Sequence, residues 1–114
     1  MKKFLKGFAY AINGLNNAIL SEHNLKLHIL IASCVIVLSY VLHLSAIEWA
    51  IILGCIALVI GAELMNTAIE KTVDLVSPTF NPKAGLIKDI SAGAVLVCAI
   101  VAAIIGVLIF LPKI

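Results

Sequence analysis

The chain contains no arginine. All eight basic residues are lysines, and the formal net charge is only +2. The planar fork that reads base edges or clamps phosphates bidentately is therefore missing, and so weak a positive balance gives no footprint for nucleic acid. Nucleic acid is excluded as a partner. Charge of either sign is scarce, at 12% of residues, where a soluble domain carries about 25%. That leaves too little polar surface to face water on every side. The three cysteines, Cys34, Cys55 and Cys98, each sit in an apolar run and form no CxxC pair. They read as small core or lipid-facing residues, without disulfide or metal roles. No GxxxxGK[ST] loop, protein-kinase signature, HExxH or GxSxG is present. His23, His28 and His43 lack ligand spacing and read as interfacial side chains. After Lys2, Lys3 and Lys6 there is no compact apolar stretch with a small-residue cleavage site, so no cleaved signal peptide is expected.

What the chain has instead is hydrocarbon. Of 114 residues, 63% are hydrophobic, and the mean hydropathy is +1.20. The length suits one domain covering residues 1–114. Three apolar segments stand out, at residues 27–44, 46–76 and 90–111. A spanning helix needs about 20 mostly apolar residues, so the expectation is an all-α membrane protein with three transmembrane helices. The second segment is longer, and its polar end should leave the hydrocarbon. His43-Leu44-Ser45-Ala46 reads as a tight hairpin with Trp49 as an interfacial anchor. The stretch from Ser77 to Gly85 carries two prolines and a glycine and reads as a loop. Pro112 and Lys113 end the third span. Residues 2–20 predict a fourth element. On a helical wheel Phe4, Phe8, Ile12, Leu15 and Ile19 share one face, with Lys2, Lys6, Asn13 and Asn17 opposite. That is the pattern of an amphipathic helix lying in the headgroup plane.

The lysines orient the chain. Lys2, Lys3, Lys6 and Lys26 precede the first span, and Lys71, Lys83 and Lys88 lie between the apolar parts of the second and third. The hairpin between the first two spans has none. The positive-inside rule places the N-terminus and the long loop in the cytoplasm, with Lys113 as a single dissenter outside.

The second span ends on an ordered polar stripe. Glu63, Asn66, Glu70 and Asp74 are spaced three, four and four residues apart and fall within about 80° of one helix face. Carboxylates near hydrocarbon are costly and take a protein-lined or wet face. Like charges on one stripe also repel, and a divalent cation would relieve both problems. Carboxylates together with phosphate and water suit Mg²⁺. Glu22 precedes the first span and Lys88-Asp89 enters the third, so five of the six acidic residues gather at one end, leaving Glu48 at the other. Carboxylates for a metal and lysines for phosphate suit a nucleotide triphosphate on the cytoplasmic side. Ser91-Ala92-Gly93-Ala94 reads as a place where helices approach closely, with a phosphate cradle as a second reading.

The run from Glu63 through Asn66 and Glu70 to Asp74, followed by Lys88-Asp89-Ile90-Ser91-Ala92-Gly93-Ala94-Val95, resembles the bacterial diacylglycerol kinase family. The likeness covers nearly the whole chain, and Glu22-His23-Asn24 with His28 resembles its undecaprenol kinase branch more than its diacylglycerol branch. The resemblance implies a homotrimeric bundle of three-span subunits with an N-terminal surface helix, in the bacterial inner membrane. It implies Glu63 as catalytic base in contact with the lipid substrate, Asn66 as a polar residue beside it, and Glu22 and Glu70 as carboxylates holding Mg²⁺ on ATP. Tyr10, Thr79, Phe80, Asn81, Lys88 and Asp89 match further ATP-contacting positions. Asn81 departs from the pattern, since members often carry His there. The implied activity is transfer of the ATP γ-phosphate to the hydroxyl of a membrane lipid alcohol: undecaprenol first, diacylglycerol as the alternative. A small cation or drug transporter built on Glu63 is a distant alternative. The carboxylates cluster at one face, and no internal repeat is visible.

Overall fold

A computed structural model describes all 114 residues. The chain is helical throughout. Four helices follow one another: α1 (Lys2–Ser21), α2 (His23–Val41), α3 (Ala46–Val76) and α4 (Pro82–Phe110), the last continued by a 3-10 turn at Leu111–Lys113. Hydrocarbon offers backbone groups no partner, so a spanning segment must satisfy them within itself. Of 94 backbone hydrogen bonds, 84 lie within the helices. Three helices, α2, α3 and α4 with its 3-10 turn, are long and apolar enough to cross a membrane. The chain is a multi-pass membrane protein.

Several boundaries differ from the apolar segments. The stretch read as a loop from Ser77 to Gly85 is coil only through Asn81. Asn81 caps α4, its Oδ1 accepting from the Lys83 N–H at 2.9 Å, and Pro82 occupies the first helical position. A proline costs nothing there, because that N–H has no intrahelical partner anyway. The helix thus starts eight residues before the apolar run at Ile90 and carries Lys83, Lys88 and Asp89 as helical residues. The first span also begins early: α2 starts at His23 rather than Leu27, through a polar first turn that hydropathy does not register. Leu25 in that turn is 1% exposed. α2 stops at Val41, short of Leu44, and His43 turns the chain with a left-handed φ of 53°.

α3 is the centre of the bundle, packing most extensively on α4 and less on α2. One extended residue, Glu22 (φ −107°, ψ 113°), separates α1 from α2. α1 packs on α2, and Ala18 is its single buried residue. Only 13 of the 114 residues are buried, and large apolar side chains are exposed along every helix. Such a surface faces lipid or further protein, since water would not tolerate it. A Cβ built at Gly93 would meet no atom within 4 Å. The small run at Ser91–Ala94 therefore brings no helix close at Gly93 within one chain, although Ser91 itself is buried.

Candidate active site

The buried face of α3 changes chemistry along its length. At 100° per residue, Ile52, Val59, Glu63, Asn66, Thr67 and Glu70 point the same way. All but Glu70 are buried, and Glu70 is half-buried. Between Val59 and Glu63, one turn or about 6 Å, the face passes from aliphatic to anionic. Glu63 is 4% exposed, Asn66 6% and Thr67 4%. The Asn66 amide donates from Nδ2 to Glu70 Oε1 at 3.3 Å. Asn66 Oδ1 and Thr67 Oγ1 are buried without a hydrogen-bond partner. Buried polar atoms are rarely left so in a native protein, and each such case calls for an explanation. Thr67 is not among the candidates read from the sequence, although its i+4 spacing from Glu63 places it on the same face.

Below Glu63 the apolar part of that face lines a slot of about 370 Å³ between α2, α3 and α4. Val35, Ile52, Val59, Ala103 and Phe110 are among its lining residues, and His28 is there too. His28 Nε2 stands 3.8 Å from Glu63 Oε2. His28 thus faces Glu63 as well as the slot. The crossing of α2 over α3 creates this contact, and no sequence spacing encodes it.

The charges above Glu63 are paired in part. Glu22 Oε1 lies 3.7 Å from Lys71 Nζ. Lys88 Nζ donates to Asp74 Oδ1. Glu22 and Glu70 are both close enough to act on Glu63 as like charges. The break at Glu22 and the stripe of α3 thus place two further carboxylates within electrostatic range of Glu63. Other site candidates lie further out. Tyr10 on α1 is 73% exposed and Phe80 93%. Thr79 and Asn81 are exposed in the short coil before α4, and Asp89 is exposed on its second turn. Within one chain, none of the Tyr10, Thr79, Phe80 and Asp89 side chains hydrogen-bonds or ion-pairs with Glu22, Glu63 or Glu70, and Asn81 is occupied in capping α4.

No three His, Cys, Asp or Glu side chains converge to form a metal cage. That suits Mg²⁺, which dehydrates reluctantly and is usually held by one or two carboxylates plus substrate phosphates. Glu22 and Glu70 supply oxygen donors of the right hardness. The residues present therefore fit a Mg²⁺ that arrives with a polyphosphate.

A spanning bundle with an apolar slot running up to a carboxylate stripe defines a membrane protein that can meet a lipid headgroup and a polar ligand at one place. Comparison with known proteins sharpens this. The family model for prokaryotic diacylglycerol kinase matches residues 9–110. The chain is 42% identical to the undecaprenol kinase of Bacillus subtilis, over 99% of this chain and 92% of that protein. It is 39% identical to a diacylglycerol kinase of Synechocystis sp., over 95% of this chain and 62% of that protein. It is 28% identical to the diacylglycerol kinase of Escherichia coli, over 90% of this chain and 84% of that protein. The chain belongs to the prokaryotic diacylglycerol kinase family and is a lipid kinase.

Proposed function

We propose that this lipid kinase phosphorylates undecaprenol, using ATP held with Mg²⁺. One observation carries the reading: the aliphatic face of α3 lining the slot becomes, within one turn, the face of Glu63, Asn66 and Glu70. A long apolar tail lying in the slot brings a terminal hydroxyl to Glu63. The match to an undecaprenol kinase, at 42% identity over 92% of that protein, favours the polyprenol over the diacylglycerol kinase matched at 39% over only 62% of its length and the one matched at 28%. Diacylglycerol offers the same chemistry, an apolar body with one interfacial hydroxyl.

In this reading Glu63 takes the hydroxyl proton. The lipid oxygen forms a bond to the γ-phosphorus, and the bond from that phosphorus to the β–γ bridging oxygen breaks, releasing ADP. Asn66 orients the carboxylates by its bond to Glu70. Glu22 and Glu70 would hold Mg²⁺, which would supply positive charge to offset that of the phosphates. Lys88, steered by Asp74, adds positive charge, and Tyr10, Thr79, Phe80, Asn81 and Asp89 contact the nucleotide. Positioning and electrostatics do most of the work in such transfers.

Assembly and orientation belong to the same proposal. The chain forms a homotrimer, which would bring the scattered nucleotide contacts of one copy to the carboxylates of another. Two features support this: few residues are buried in one copy, and Gly54, Gly61 and Gly93 all face open space inside spans. In membranes such small-residue faces are where helices meet. α1 lies in the headgroup plane on the cytoplasmic side of the bacterial inner membrane, its lysines toward anionic lipid.

The test is phosphoryl transfer by purified protein in micelles, from labelled ATP, with undecaprenol and diacylglycerol in competition. Undecaprenyl phosphate should be the main product and should depend on Mg²⁺. Exclusive labelling of diacylglycerol would replace the acceptor, and no labelled lipid from either would overturn the proposal.

A further inference from the structure

α2 contributes one ionisable side chain to the site. His28 approaches Glu63 across the α2–α3 contact, Nε2 to Oε2 3.8 Å, with the two side chains 21% and 5% exposed. That separation is within ion-pair range but too long for a hydrogen bond. Hydrogen bonds of catalytic groups are often loose without substrate and tighten in the complex.

The surroundings leave few alternatives. The charged side chains acting on Glu63 are Glu70 and Glu22, which repel it, and His28. The Asn66 amide donates to Glu70 and also bears on Glu63, but it carries no charge and cannot titrate. His28 is therefore the ionisable neighbour of opposite tendency, able to donate a ring N–H to a carboxylate oxygen. It is also a lining residue of the slot, where 14 of 16 side chains are hydrophobic. One residue thus touches both the place for the tail and the group proposed to take the proton.

We propose that His28 is a positioning residue for Glu63. Its Nε2–H holds Oε2, which leaves Oε1 turned toward the acceptor hydroxyl. A freely rotating carboxylate would divide its time among orientations, and misplacing a reacting group by about 1 Å can cost on the order of 10²-fold in rate. The inference rests on the reading of Glu63 as the base, and the experiment separates the two.

Turnover of the oligomeric protein is measured in micelles at saturating lipid alcohol, for His28→Leu, His28→Gln, Glu63→Gln and the His28→Leu/Glu63→Gln double variant. His28→Leu keeps the bulk and removes the donor. It should lower kcat about 10- to 100-fold, up to the cost of misplacing a reacting group by about 1 Å. The KM for Mg-ATP and for the lipid alcohol should stay within about threefold. His28→Gln restores an N–H at similar reach and should recover most of the lost kcat. In the Glu63→Gln background, His28→Leu should cost little more, because residues acting as a unit are not additive. Parental kcat in His28→Leu overturns the inference, and so does equal loss in His28→Gln. A raised lipid KM at unchanged kcat would make His28 a binding group instead, which also overturns it. A full further loss in the Glu63→Gln background would mean that His28 acts independently of Glu63, and the inference falls in that case too. Parental turnover in Glu63→Gln alone sinks the base itself, whatever the His28 variants do.

Discussion

The two ends of the bundle each hold a glutamate on α3 and a lysine from another part of the chain, yet they are built to opposite purposes. At the end where α3 begins, Glu48 is held by a cap and an ion pair. Its Oε1 accepts from the Ser45 N–H at 3.0 Å, Ser45 Oγ accepts from the Glu48 N–H at 3.2 Å, and Lys113 Nζ lies 3.1 Å away. This is a capping box closed by an ion pair. Beneath it Leu44, Ile52 and Phe110 form the chain's apolar cluster, with Trp49 packed on it. The pairing also explains Lys113, the one lysine that dissents from the positive-inside pattern. At the other end, Glu22 and Glu70 lie within electrostatic range of the buried Glu63, and two buried polar atoms have no partner. A closed ion pair stabilises a fold. An acidic stripe beside two unpartnered polar atoms is, on the proposed reading, prepared for something that comes and goes.

The largest effect that could break this contrast is expected at Glu63. Glu63→Gln keeps size and hydrogen bonding but cannot take a proton, and removing a general base costs roughly 10²–10⁴ in rate. Single-turnover phosphorylation should fall by that factor while Mg-ATP binding and oligomer size hold. Retention of parental single-turnover rates would make the deep carboxylate structural.

The next effect concerns Glu22 and Glu70. Each change to Gln should weaken Mg-ATP binding about 10-fold, the scale of one charged hydrogen-bond partner, as read by nucleotide titration with and without Mg²⁺. Binding without Mg²⁺ should change less. Equal affinity to the parent, with turnover alone lost, would remove both from the metal site.

The smallest effect is expected at the opposite end. Glu48→Gln and Lys113→Met should leave turnover within about twofold, the range expected when only a distant surface pair is lost. Their thermal midpoint should drop by no more than a few degrees. A tenfold fall in turnover from either would mean that the two ends are coupled and not built for separate purposes.

Much of this arrangement is legible in the sequence, for reasons that can be stated residue by residue. Hydropathy locates the three spans because lipid demands long apolar runs. The spacing of Glu63, Asn66, Glu70 and Asp74 puts them on one face because the helix repeat is fixed. The differences fall where local signals point two ways. Asn81-Pro82 reads as a breaker when counted as composition and as a cap followed by a first helical residue when read in order. His23–Lys26 is polar, so its helical turn escapes a hydropathy reading. What no spacing could supply is the meeting of α2 with α3. The contact of His28 with Glu63 and the slot beneath them depend on how two helices cross, and that is a property of the packed chain.

The switch on α3 from Val59 to Glu63 also sets a depth. Because a single rigid helix carries both chemistries, the distance from hydrocarbon to carboxylate is fixed by helix pitch, like a mark cut on a dipstick. On the proposed reading the enzyme measures how deep an alcohol sits more than what its tail looks like. One residue inserted between Val59 and Glu63 would swing the whole stripe by about 100° away from the slot, leaving every side chain present and the gauge unreadable.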